Sequence, residues 1–91
     1  MSMDDALVAR RAALKELSEK TLQQIQIETA YKWAYRAWAA HRLAQDAQSS
    51  PSWAADAVEY EHEAIEHAAL ADDQEVLADV RLIIADGKRI I

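Results

Sequence analysis

Gln48-Ser49-Ser50-Pro51-Ser52 is the only clear interruption in this chain, and it holds the one proline of 91 residues. The one glycine, Gly87, lies near the far end. A chain this poor in turn-forming residues has little means of making the hairpins a sheet needs. Its surplus of Ala, Leu, Glu and Gln suits helices instead. The expected fold class is all-α. Ser50 as N-cap and Pro51 at the first helical position start a second helix, because proline lacks the N–H that would be unpaired there. Helix one is expected over about residues 3–46, the break over 47–51, and helix two over about 51–86, all in a single domain, 1–91. Ser2 caps the first helix, with Asp4 and Asp5 at the positive end of its dipole. Gly87 caps the second, with Lys88 and Arg89 at the negative end and Ile90 and Ile91 as a short apolar tail.

Two helices joined by a short break make an antiparallel hairpin with an uncovered apolar face, and 91 residues bury little core unaided. A homodimer or higher homo-oligomer is therefore expected, most simply two hairpins forming a four-helix bundle. The net charge of −6, from 16 acidic and 10 basic residues, gives no footprint for nucleic acid. There is no cysteine, which rules out disulfides and thiolate chemistry. No stretch approaches the ~20 apolar residues of a membrane span, and the N-terminus does not read as a secretory signal. A cytoplasmic protein with no membrane partner is expected.

Periodicity places polar groups where apolar ones are expected. At 100° per residue, Glu28 falls in a sector of about 80° with Leu14, Leu17, Thr21, Ile25 and Tyr35. A carboxylate in an apolar stripe is costly unless something neutralises it. In helix two, Ala55, Glu59, His62, Glu66, Ala69 and Leu70 continue into Asp73, Leu77, Val80 and Ile84, a ligand-bearing face that ends as plain core. A second stripe of Ala57, Ala64, Ala68 and Ala71, flanked by Trp53, Tyr60 and His67, allows close approach of another helix. Tyr31, Trp33, Tyr35 and Trp38 point several ways among alanines, as though this part of helix one touches more than one neighbour, in an oligomer.

The segment Ile25-Gln26-Ile27-Glu28-Thr29-Ala30-Tyr31-Lys32-Trp33-Ala34-Tyr35 resembles the first helix of ferritins and rubrerythrins, in which a Glu ligand is followed seven residues later by a Tyr. Glu59-Tyr60-Glu61-His62 is similar to their Glu-x-x-His helix, where positions i and i+3 point at the same metal. The chain has room for one half-site, so its layout is closest to the two-helix encapsulated ferritins, which build the site between two chains. The resemblance covers roughly residues 22–70.

That resemblance implies a di-iron site, with Mn or Zn as alternative metals, held by Glu28, Glu59 and His62 from each of two chains. Tyr35 would hydrogen-bond a ligand carboxylate. The implied activity is ferroxidase, an oxidoreductase oxidising Fe(II) with O₂, and an encapsulating shell protein is an implied partner, placing the molecule inside a protein compartment. Glu61, Glu63 and Glu66 read as an iron entry path or, by default, a solvated acidic face. His67 reads as packing and His41 as a helix-end residue. Two other readings fit the residues: a metal-free dimeric helical module binding protein through its Trp and Ala faces, and an acidic inhibitor that mimics nucleic-acid charge.

Overall fold

The computed structural model describes residues 3–46, 48 and 50–90. These form three helices and no strand: α1 Met3–Ala44, α2 Ser52–Leu70 and α3 Gln74–Lys88. Ser2, at the expected first cap, and Ile91 lie outside the described residues. At 1.5 Å per residue α1 is about 63 Å long, and it sets the long dimension of a molecule measuring 71 × 22 × 12 Å. Acidic Asp4 and Asp5 in its first turn and His41 and Arg42 in its last complement its dipole.

Beyond Ala44 the chain turns through backbone bonds from Gln45 to Arg42 and from Asp46 to Leu43. The carboxylate of Asp46 accepts the amide of Gln48, the side-chain turn typical of Asp. The second helix starts close to the expected place but one residue later: it begins at Ser52 with Pro51, at φ −63°, in the cap position, and the Ser50 hydroxyl accepts the amide of Ser52 at 3.3 Å.

The expected continuous helix over 51–86 is instead two helices. Asp72 adopts the left-handed conformation at φ 53°, which Asp tolerates better than most residues. Asp73 is extended and caps α3, accepting the amides of Glu75 at 3.0 Å and Val76 at 3.2 Å. The reversal folds α3 back along α2. Trp33 against Tyr60 and Gln26 against His67 show α1 and α2 antiparallel. Tyr31 to Asp79 and Trp38 to Asp86, both 48 residues apart, show α1 and α3 parallel.

The core is made largely of small residues. Ala30, Ala34 and Ala37 of α1 meet Ala64 and Ala68 of α2, and Val76, Val80 and Ile84 of α3 complete the cluster; Ala40 and Ala57 are buried as well. Alanine on alanine lets helix backbones approach closely and leaves the larger flanking side chains to seal the seam. Trp33 lies beside Tyr60, with ring centroids 5.5 Å apart. On the α3 side, Tyr31 donates to Asp79 at 2.6 Å and the Trp38 indole donates to Asp86 at 2.9 Å. Tyr31, Trp33 and Trp38 thus reach two helices of the same chain, whereas Tyr35 is exposed.

Gly87 serves a different purpose from the expected cap. It lies buried inside α3, it does not take a positive φ, and the cap is Arg89. A Cβ on Gly87 would stand 2.7 Å from Cα of Trp38 and 3.0 Å from its carbonyl oxygen, so glycine here permits α1 and α3 to touch.

Candidate functional site

The four residues singled out from the sequence do not converge within one chain. Glu28, Tyr35, Glu59 and His62 are all exposed. The register that pairs Trp33 with Tyr60 puts Glu59 level with Ala34, about 9 Å along the axis from Glu28. Glu28 also points away from α2, on the side of α1 opposite its buried alanines, where its carboxylate accepts a hydrogen bond from Gln24 at 3.2 Å. On α2 the alanine stripe turns inward, which forces Glu59, His62 and Glu66 outward. The face expected to begin as ligands and end as core is therefore outer surface throughout α2, and only its α3 residues Leu77, Val80 and Ile84 pack inward.

Glu59 and His62 border a shallow groove with Trp33, Tyr60 and Glu63, and His62 also edges a second one with Val58, Glu61 and Ile65. Among the described residues, no group of three or more His, Asp or Glu side chains is arranged to hold a metal ion. The ligand set implied by the ferritin resemblance does not fit a metal within a single chain.

Sequence reasoning missed a cluster at the closed end of the three-helix body. Glu61 is only 17% exposed and sits between His41 Nε2 at 2.9 Å and Lys88 Nζ at 2.8 Å, so one carboxylate ties all three helices. Burial pushes its pKa up, but the hydrogen bonds and charges of Lys88 and His41 outweigh this and hold it below the usual carboxylate value. Glu61 is thus a structural pin, not a solvated face or an entry path, and His41 is its partner. Beside it, the Trp38 indole and the Arg42 guanidinium lower the pKa of Asp86 against a smaller opposing effect of burial. Gln45 closes the end by donating to the carbonyls of Gly87 and Arg89. His67 Nδ1 meets Gln26 at 2.6 Å, in keeping with a packing role. Tyr31 is pushed up to about 12, first by its bond to Asp79, then by burial and the Asp79 charge.

Among the described residues, no helix packs along the other half of α1. Every described residue from Met3 to Ile25 is exposed, including Leu7, Leu14, Leu17 and Leu22 at 45–60%. The α2–α3 turn reaches only to Gln23, which donates to the carbonyl of Ala71 at 2.9 Å. Residues 3–22 project beyond it for about 30 Å. With Ile25, Glu28 and Tyr35, the side chains of Met3, Leu7, Leu14 and Leu17 form one stripe on the outer side of α1, while Val8 and Leu22 fall outside it.

No family model, curated protein or solved structure matches the chain. Among the described residues, no helix is long and apolar enough to cross a membrane.

Proposed function

We propose that the chain is a self-associating helical module that works without metal, with the outer stripe of α1 as its contact surface. The observation that carries this reading is the projecting arm, a continuous helix that bears large apolar side chains and has no helix of its own chain beside it. Monomeric proteins rarely leave an apolar patch of this extent exposed unless it is used for association. The Trp and Ala faces, which the sequence offered as docking surfaces, are largely occupied within the chain, so association falls to the stripe. Light scattering at micromolar concentration tests the reading. A dimer unchanged by EDTA is expected, and a well-folded monomer overturns it.

A second reading keeps the ferritin likeness, with Fe(II) as the substrate of a di-iron site shared between chains in a four-helix assembly. It is favoured by one observation: Glu28, Tyr35, Glu59 and His62 all lie on outer surfaces that a second chain can reach. In that reading Glu28, Glu59 and His62 hold the metal pair and Tyr35 orients a carboxylate. Elemental analysis of the purified protein, together with loss of the dimer in EDTA, would establish this reading over the first.

A further inference from the structure

From the placement of charges along the stripe we infer that its occupant is the α1 stripe of a second copy, lying antiparallel, with the two-fold axis between residues 19 and 20. This rests on the self-association proposed above and adds the orientation and register.

Three features of the molecule carry it. The first is room: α2 and α3 pack on the alanine side of α1, so the opposite side is open from Met3 to beyond Tyr35. A partner helix can run the full length of the stripe without meeting the body. The second is extent: six or seven half-exposed large side chains per chain, covered in both copies, amount to on the order of 1,500 Å², the size of a specific interface.

The third feature is charge. Arg10 and Glu28 both lie in the sector that holds Leu14, Leu17 and Ile25, within one residue of equally far from the axis on either side. Antiparallel pairing sets Arg10 against the partner's Glu28. In between, Leu14 meets the partner's Ile25 and Leu17 meets the partner's Thr21. At the far end Met3 meets the partner's Tyr35. Leu7 lies along the aliphatic stem of the partner's Lys32, whose ammonium reaches solvent. Parallel pairing in register would instead place Arg10, Glu28 and Lys32 each against its own copy, like charge on like. The carboxylate that looked misplaced in an apolar stripe thus has a cation opposite it, supplied by the other chain.

The chain has no cysteine, so Ala9→Cys, on the side of α1 away from the stripe, gives a unique spin-label site on each copy. Antiparallel pairing puts the two labelled backbones about 30 Å apart, whereas parallel pairing puts them within about 10 Å. In parallel, Arg10→Glu and Glu28→Arg are each expected to weaken the dimer about ten-fold or more, and the double variant to recover most of that loss. Both sites are exposed, and circular dichroism checks that the variants fold. A dimer with the short distance overturns the antiparallel assignment and leaves the proposed function standing. Failure of the double variant to recover overturns the register. A monomer in light scattering removes both.

Discussion

The two halves of α1 are one unbroken helix built on different principles. From Ala30 to Ala40 its buried side chains are alanines, and its neighbours are held within the chain by close backbone approach and by the pins at Glu61, Asp79 and Asp86. From Met3 to Leu22 its large apolar residues are mostly leucines, and they face solvent. Small residues suit a contact whose geometry is fixed by turns and short loops, because nothing has to adapt. Large side chains suit a contact between separate chains, where each anchor must contribute enough burial to offset the lost freedom of two bodies. The comparison therefore assigns the body to folding and the arm to assembly.

The sharpest way to break this contrast is to put a large residue in the body. Ala64→Leu forces a branched side chain into the alanine seam, and the loss in urea unfolding should fall at the upper end of the roughly 1–3 kcal/mol that overpacking costs. A tolerated leucine would mean that the seam is loose. The reciprocal change removes a large residue from the arm: Leu17→Ser should weaken dimerisation by about 2 kcal/mol, roughly thirty-fold. It should leave the unfolding of the dissociated body unchanged. Gly87→Ala comes next. Helix propensity alone would make it stabilising by about 1 kcal/mol, but the Cβ meets the Trp38 backbone, and a net loss of about 1–2 kcal/mol is expected in thermal melts.

Two smaller effects refine the picture. The folded-state pKa of Glu61 lies below its unfolded value. Its contribution is thus complete above the ordinary carboxylate pKa and is lost as the pH falls through the lowered value. Acid titration of Glu61→Gln should lack this part of the acid limb and show about 1 kcal/mol less stability at neutral pH. In the arm, Lys20→Ala breaks only an exposed 3.6 Å pair with Glu16, and melts should change by less than about 0.5 kcal/mol.

Much of this fold was legible in the sequence. The Ser50-Pro51 start was plain because proline and a capping hydroxyl stand together, and the alanine stripe of α2 was visible as a close-approach surface. The turn at Asp72 was hidden because it uses neither Gly nor Pro. A signal existed: on one continuous helix, Ala57, Ala64 and Ala68 would lie roughly 145° from Val76, Val80 and Ile84. Two buried stripes so far out of phase need a break between them, and Asp73 followed by Glu75 is a fitting cap. The stripe through Leu14, Leu17, Ile25 and Glu28 was also legible, but periodicity says only that a face is apolar and not which helix covers it. A buried seam and an exposed one give the same pattern, so Glu28 read as a ligand in a core. Glu61 was missed for the converse reason, because an acidic residue among acidic residues carries no sign that His41 and Lys88 will converge on it.

The central claim is that the arm is covered by a second copy while the body stands alone. Amide hydrogen exchange across a dilution series tests it most directly, since protection reports local opening residue by residue. Amides of residues 6–22 should lose protection as the concentration falls through the dimer dissociation constant, while those of 30–40 keep theirs. Arm protection that is absent at every concentration, or that does not change on dilution, would contradict the account.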